Sequence, residues 1–529
     1  MKKLRMLFCL VLIAVIAGGL FASGSSAGGA AATANQPWKV SGTSFNPAAF
    51  PKAPANYTIS ILSISQDGTF IASDHPALKN LQQFTGYNIK LEYVLNANYN
   101  EQMNTRLAAN DLPGIVTITS NTQPIVTAAR SGAFWDITDI YGKYPNLARA
   151  DKGVMSNVSI DGRNFGIYRG RDFPRSGMVY RKDWLQNLGL SVPKNLDDLY
   201  NVLYAFTYND PDGNGKNDTY GMTWTGAYMG PFYNIAVMFG APNRFGVKNG
   251  KLTPWFDYDE FYQAMLYSKK LYDNGLINKD FAALPTSEWA LPFGRGQCGW
   301  HIDCADEASR SATRMLNNGL MTQADFDAGK YVDVMGAVAN QNGEIRVWPQ
   351  NDGHQGYEAI STAGAKTLQD LNYYLDFMDK CNSAQGITIL NWGAEGVNYT
   401  LNSDGTVTAI PAAQIPNGWD NLAGLNQFRM LTDIGAIQQP NAYQARHMQV
   451  YKDIQPYAIL NPVTPITLMS PTWTARQSSL NQIIDDAVIN FIMGNIDQAG
   501  FQKEVARWYS EDGQKALDEL QVAYDASRQ

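Results

Sequence analysis

Tyr57-Thr-Ile-Ser-Ile-Leu-Ser-Ile64 alternates apolar and polar side chains in the manner of a β-strand, then runs into the polar loop Ser65-Gln66-Asp67-Gly68. A segment with Leu78, Leu81 and Phe84 on one helical face follows and stops at Gly86. Ile89 to Leu95 reads as a second strand, and Gln102 to Ala109 as a helix ending at Asn110-Asp111. Ile115 to Ile118 is a short buried strand that gives way to Thr119-Ser120-Asn121. This β-α-β-α-β rhythm predicts an α/β fold with a parallel sheet and helices on its faces. Ligands of such sheets gather beyond the carboxyl ends of the strands, which nominates Ser65, Gln66, Asp67, Ser120 and Asn121. Polar loops are expected at those ends with or without a ligand.

Further along, Ile167 to Tyr180 has the character of a segment crossing between lobes. Helical patterns follow at Leu185–Leu188, Leu196–Phe206, Glu260–Asn274, Thr367–Met378 and Ser479–Met493, and in the last segment to Ala526. Phe293 to Ile302 reads as a loop and then a strand, and no internal repeat is found. At 529 residues the chain exceeds one ordinary core, so two or more lobes are expected. A content of 12 Trp and 28 Tyr is rich enough that some rings are expected to face a flat apolar ligand such as a sugar. The net charge of −7 argues against nucleic acid, because no basic stripe is present to neutralise phosphates.

The N-terminus has the form of a secretory signal. Lys2, Lys3 and Arg5 form a basic region, Met6 to Leu20 an apolar one, and Ala22-Ser23-Gly24 or Ser25-Ser26-Ala27 a cleavage site. Residues 1–27 are therefore expected to be a signal peptide and 28–55 a linker. Cys9 lies inside the apolar stretch, where it does not serve as a lipid anchor after cleavage, so a free periplasmic protein is expected. Gly24-Ser-Ser-Ala-Gly28 matches a serine-hydrolase elbow only formally, since no strand precedes it. Of Cys298, Cys304 and Cys381, the first two could bridge in an oxidising compartment, unless one extended segment holds them apart; buried thiols are the alternative.

Asp210-Pro-Asp-Gly-Asn-Gly-Lys-Asn-Asp218 places oxygen donors at every second residue of one loop. Asp210, Asp212, Asn214 and Asp218 fall at positions 1, 3, 5 and 9 of an EF-hand-like calcium loop. Gly215 falls at the turn, and the Lys216 carbonyl at position 7. Gly221 stands at position 12 where a bidentate Glu is usual. The loop, 210–221, is expected to hold a structural Ca²⁺ as a staple, with a plain polar turn as the alternative.

Several segments together resemble the family 1 extracellular solute-binding proteins of ABC importers, in particular the longer oligosaccharide-binding type, which includes alginate-binding forms. The residues that carry the resemblance are Leu107-Ala-Ala-Asn-Asp-Leu-Pro-Gly114, Ile160-Asp-Gly-Arg-Asn-Phe-Gly-Ile167 and Tyr180-Arg-Lys-Asp-Trp-Leu-Gln-Asn-Leu-Gly-Leu190. Pro193 to Leu199 then leads into the Asp210 loop and Tyr220-Gly221. Phe293-Gly-Arg-Gly296, Asn391 to Thr400, Ile489 to Gly494 and Ala523-Tyr-Asp525 complete the series. Gly114 departs from the family's usual Asp, Thr219 from an acidic residue, and Gln297 to Cys304 from a run of small residues.

The resemblance implies a two-lobed, type II-like periplasmic binding protein fold, with hinged lobes around a ligand cleft. Lobe 1 is expected at 57–167 with 360–430, and lobe 2 at 168–359 with 431–529, lobe 2 carrying the calcium loop. It also implies a monomer, not an enzyme, that closes on an oligosaccharide, neutral or acidic, and hands it to an ABC permease in the inner membrane. The family places the segment of Trp300 and Asp303 along the cleft, and Trp392 in a Gly-rich motif. Trp224 and Tyr228 follow the calcium loop. Each of these aromatics has core packing as its alternative. Arg169, Arg171, Asp172 and Arg175 lie at the expected crossing, either clamping a sugar carboxylate or salt-bridging the hinge. A glycan-degrading enzyme would need a carboxylate pair across a cleft, and a sugar sensor presenting its ligand to a membrane receptor would share the fold.

Overall fold

A computed structural model describes residues 38–65, 70–420, 422, 424–432, 435 and 442–528. The expected signal peptide, and the loop residues Gln66 and Asp67, lie outside the described residues. In chain order the strands are β1 (Thr58–Ser65), β2 (Asn88–Leu95), β3 (Ile115–Ile118), β4 (Gly166–Gly170), β5 (Ser176–Arg181), β6 (Tyr220–Met222), β7 (Phe245–Lys248), β8 (Lys251–Pro254), β9 (Cys298–Cys304), β10 (Val332–Met335), β11 (His354–Ile360), β12 (Tyr399–Leu401) and β13 (Val407–Ala409).

The first sheet has the order β2-β1-β3-β11-β4. β1 runs parallel to β2 and β3, while β11 is antiparallel to both β3 and β4. The β-α-β-α-β unit is therefore where the alternation predicts it, and the sheet becomes mixed only where the chain returns much later. The first helix, Pro76–Thr85, shows why these boundaries are legible. Pro76 starts it, the His75 ring accepts the Ala77 N–H at 3.0 Å, and Gly86 closes it at φ 79°, a conformation other residues adopt at a cost. Later, Thr367 and Asp370 cap the helix Leu368–Cys381 reciprocally. The expected helix from Ser479 begins earlier, at Pro471, because Ser470 accepts the Trp473 N–H at 2.9 Å and Pro suits the first helical position.

The second sheet has the order β10-β5-β9-β6, with β5 antiparallel to β10 and β9, and β6 parallel to β9. Each sheet has its own core. Ile61, Ile64, Ile115, Ile167, Tyr357, Leu371 and Phe377 belong to the first. Met178, Trp184, Leu203, Phe206, Trp224, Trp300 and Ile302 belong to the second, together with Trp473, Ile484 and Trp508 from the C-terminal helices. A smaller cluster with Val179, Met315, Val334 and Val450 covers the other face of the second sheet. Residues 354–359 were expected with the second lobe; β11 instead pairs within the first sheet.

Geometry accounts for one departure of the sequence and excludes one expected bridge. A side chain at Gly114 would run into the Tyr374 ring, about 2 Å from an added Cβ. Cys298 and Cys304 occupy opposite ends of one strand, about 20 Å apart at ~3.3 Å per residue, so a bridge between them is excluded. Both are free and buried, as is Cys381.

Trp300 is 0% exposed and stacks on Tyr180 with ring centroids 5.1 Å apart. Trp300→Ala is expected to lower the unfolding free energy by about 3–5 kcal/mol, the cost of a large aromatic lost from a core. Equilibrium urea denaturation checks this; a loss below about 1 kcal/mol would contradict the core placement.

Candidate functional site

The carboxyl ends of β1, β3 and β4 and the start of β11 lie at one end of the first sheet, the end from which β4 leads to β5 in the second. Two crossings, 171–175 and 349–353, run side by side. The Arg171 N–H donates to the Gly353 carbonyl at 3.1 Å, and the Arg175 N–H to the Pro349 carbonyl at 3.1 Å. The passage through Arg429 and Met430 is tied to the same place by the Gly170 N–H on the Arg429 carbonyl at 2.9 Å. Gly170 permits this approach, since an added Cβ would lie 1.8 Å from the Met430 carbonyl oxygen.

On the first-sheet side, Arg169 is 1% exposed and lies 3.6 Å from Glu358, itself 2% exposed. Glu358 also accepts the Thr117 hydroxyl at 2.9 Å, and Arg169 donates to the Gln355 carbonyl at 2.8 Å. Burial pushes the Glu358 carboxyl up to about 7, against the opposing pull of Arg169 and Thr117. Arg169 Nε and Nη2 have no hydrogen-bond partner. Arg169 is thus half of an internal ion pair rather than a ligand clamp. Asn121 is a brace as well: its amide oxygen accepts the Tyr357 hydroxyl at 2.8 Å, and its nitrogen reaches the Val158 and Ser159 carbonyls at 3.4 Å. Ser65 is buried at the end of β1, and Ser120 is exposed after β3.

On the second-sheet side, the half-buried Asp303 accepts the Gln350 side-chain N–H at 2.9 Å, and the same nitrogen reaches the Tyr228 hydroxyl at 3.1 Å. Gln350 therefore gathers two expected site residues, Asp303 from β9 and Tyr228 from a loop. Its left-handed backbone, φ 71°, sets it apart, yet no local motif marks it in the sequence. Arg175 grips Asp306 with two bonds, at 3.1 and 2.9 Å, and Tyr451 donates to Asp306 at 2.5 Å. Burial alone would raise the Asp306 carboxyl, but Arg175 and Arg310 outweigh it and hold it below its ordinary range. Arg175 thus serves as a hinge-side salt bridge. Trp224, 1% exposed, sits edge-on to Phe281, and with Trp300 it belongs to the core, not to a sugar platform. Trp392 is half-buried at the end of the helix Ala384–Trp392, next to Asn391, which accepts from Arg429 at 3.1 Å.

Beside the crossings lies a cavity of about 760 Å³. Tyr168, Arg171 and Phe173 line it from β4 and the first crossing, Asn157 from the helix Lys152–Asn157, and Leu460 and Asn461 from a segment leading into the second core. None of the last three carries a sequence signal, because their neighbours are far away along the chain.

In the Asp210 loop, the Asn214 side-chain nitrogen donates to Asp212 at 2.9 Å and Asp218 at 3.2 Å, and the Gly215 N–H to Asp210 at 2.9 Å. Burial, and then Asp210 and Asp218, push the Asp212 carboxyl up despite a backbone N–H from Asn214. Among the described residues no three acidic, His or Cys side chains close on a metal-sized point, and Asn214 occupies the space between two carboxylates. Three carboxylates, one amide and the Lys216 carbonyl nevertheless suit a hard cation. Two further positions are spent on the fold. Thr219 is buried and donates to the Phe206 carbonyl at 2.9 Å. At Gly221 a Cβ would lie 2.8 Å from the Leu276 carbonyl oxygen, which excludes a Glu there.

Residues 67–293 match the family profile of bacterial extracellular solute-binding proteins. Lipoprotein LipO of Bacillus subtilis (strain 168) is 36% identical over 465 residues, covering 86% of this chain and 89% of LipO. The polygalacturonan/rhamnogalacturonan-binding protein YtcQ of the same organism is 31% identical, covering 85% of this chain and 88% of YtcQ. The structure of the ABC-transporter substrate-binding protein FusA of Streptococcus pneumoniae with kestose superposes with a TM-score of 0.67 at 19% identity, covering 89% of this chain and 99% of FusA. A second FusA structure, of an EF-hand mutant, gives a TM-score of 0.64 at 18% identity over the same 89% of this chain and 99% of FusA. The chain belongs to the bacterial extracellular solute-binding proteins, and its fold is theirs: two α/β lobes joined by crossing segments.

Arg169→Leu is expected to cost about 3–5 kcal/mol by stranding Glu358, with most of it recovered in the Arg169→Leu, Glu358→Leu double variant. Additive losses in urea denaturation would contradict the pairing. Glu358 has a folded value above its unfolded one, so its contribution is fully present below about 4.5 and is lost as pH rises through about 7. Wild type should therefore gain stability relative to Glu358→Gln as pH falls across that window, and a flat difference would contradict the shift.

Proposed function

We propose that this chain is the capture component of an ABC carbohydrate importer: it closes its lobes on an oligosaccharide and presents the closed form to a membrane permease. What carries this reading is the arrangement of two separately filled cores whose polar strand ends face one another across side-by-side crossings. Contacts made to both lobes at once exist only in the closed state, so a ligand that makes them shifts the population toward closure. The lobes are taken as 57–170 with 354–430, and 176–348 with 442–528. The sugar-binding names of YtcQ and FusA support a glycan as the solute. No reaction is assigned to the chain, and export to the periplasmic side fits the extracellular family; among the described residues no helix is long and apolar enough to cross a membrane.

Calcium in the Asp210 loop is part of the same proposal, supported by the donor set and by the EF-hand of FusA. Asp210, Asp212, Asn214 and Asp218 would hold the ion with side-chain oxygens and Lys216 with its carbonyl. The ion would neutralise the repulsion among three carboxylates and pin the loop between the helix Leu196–Tyr208 and β6.

A thermal-shift screen against neutral and acidic oligosaccharides is expected to raise Tm with one glycan class, by about 2.7 kcal/mol of stability at a hundredfold excess over Kd. Release of new reducing ends from that glycan would overturn the binding-only assignment, and no shift across the panel would overturn the glycan. EDTA should lower the Tm of wild type but not of Asp212→Asn, and equal sensitivity in the two would contradict calcium in this loop.

A further inference from the structure

His75 does two jobs at once, and distance fixes both. Its ring is 1% exposed and sits just before the helix Pro76–Thr85. Nδ1 lies 3.0 Å from the Ala77 backbone nitrogen and accepts its N–H, so Nδ1 carries no proton. The proton of the neutral ring is therefore on Nε2, which donates to the Trp419 carbonyl at 2.7 Å. That carbonyl also accepts the Asn398 side-chain N–H at 2.6 Å. Asn398 is buried in turn, and its amide oxygen takes the Ala394 N–H at 2.9 Å. One carbonyl thus ties the first helix to the corner at 394–398.

The place of this tie in the fold gives it reach. β1 ends at Ser65, at the end of the first sheet from which the chain crosses to the second. The helix after it starts at that end before running back along the sheet. The stretch that carries Trp419 goes on through the turn Leu425–Phe428 to Arg429, whose carbonyl accepts the Gly170 N–H at 2.9 Å. His75 therefore joins the start of a helix to a strap that leads into the crossings.

A second proton on the ring has only Nδ1 to go to. There it faces the Ala77 N–H, one donor against another, and the bond is lost. It also places positive charge at the N-terminus of a helix of 10 residues, where the macrodipole is already positive. Among the described residues the charged groups that face the ring are Asp74, beside it on its own loop, and Asp420, on the strap. Burial outweighs the Trp419 carbonyl and these two carboxylates, and holds the ring below its ordinary 6.5. A folded value below the unfolded one contributes stability above 6.5 that is lost as pH falls through the folded value.

We propose that His75 is an acid-released clasp: its neutral ring pins the start of the first helix to the Trp419 strap, and protonation frees that start. The charged ring keeps its place and loses Ala77, or turns out to water and loses Trp419 as well. The end of the first lobe that leads to the crossings is then firm at neutral pH and loosened in acid. The clasp goes beyond the capture reading and is independent of the solute, since it uses no residue that lines the cavity.

Hydrogen–deuterium exchange of the full chain at about pH 7.5 and about pH 5, corrected for the intrinsic rate, tests this. Peptides covering 76–80 are expected to lose about tenfold in protection at the lower pH, while the helix Leu368–Cys381 stays within about twofold. His75→Asn should keep its protection at both, because Asn accepts the Ala77 N–H and does not titrate. Nitrogen NMR of the wild-type chain, with His75 assigned as the signal missing from the variant, should show an Nε2–H ring that titrates below 6.5. Unchanged wild-type protection at 76–80 would overturn the clasp, and this comparison needs no variant. An equal loss in His75→Asn, an Nδ1–H ring, or titration at or above 6.5 would overturn the assignment to His75.

Discussion

Two cores that share no buried side chain meet where the crossing segments touch, tied there by backbone hydrogen bonds. Everything that could recognise a ligand is positioned by that contact. Gly170 is its tightest point: with no side chain, it lets the Arg429–Met430 backbone lie against the end of β4. Residues far apart in the chain, such as Arg171, Gln350 and Arg429, become neighbours there. Short crossing segments between two separately filled cores suit a hinge between rigid bodies.

Charge is distributed around this joint in two ways. Pairs such as Arg169–Glu358 and Arg175–Asp306 are internally balanced and fix the crossing segments to their own lobes. Burial raises the Glu358 carboxyl even beside its arginine, so the pair costs desolvation and serves geometry more than stability. Arg171 lines the cavity beside the crossings, while Arg429 donates to Asn391.

The first sheet was legible because its information is local. Alternation marks β1, Gly86 ends the helix after it, and Asn110 closes the next one in a left-handed turn. The donor set of the Asp210 loop is local too, lying within nine residues, whereas the ion it would hold is a proposal. The return of β11 to the first sheet was not legible, since a strand's sequence does not name its partner. Trp224 and Trp300, for which cleft and core were both open, lie in the core; an aromatic side chain on or after a strand declares burial, but not whether protein or ligand covers it. Tyr228 and Asp303 do come together, yet through Gln350, whose place depends on the 349–353 crossing. Family resemblance supplied the two-lobed plan that composition could only bound by length.

The central claim is that binding and closure are one event. Small-angle X-ray scattering on the calcium-loaded chain, with and without a saturating oligosaccharide, tests it most directly. A fall in the radius of gyration on saturation is the result the account predicts. Saturable binding with an unchanged radius of gyration would contradict it, because the sugar would then be held by one lobe alone.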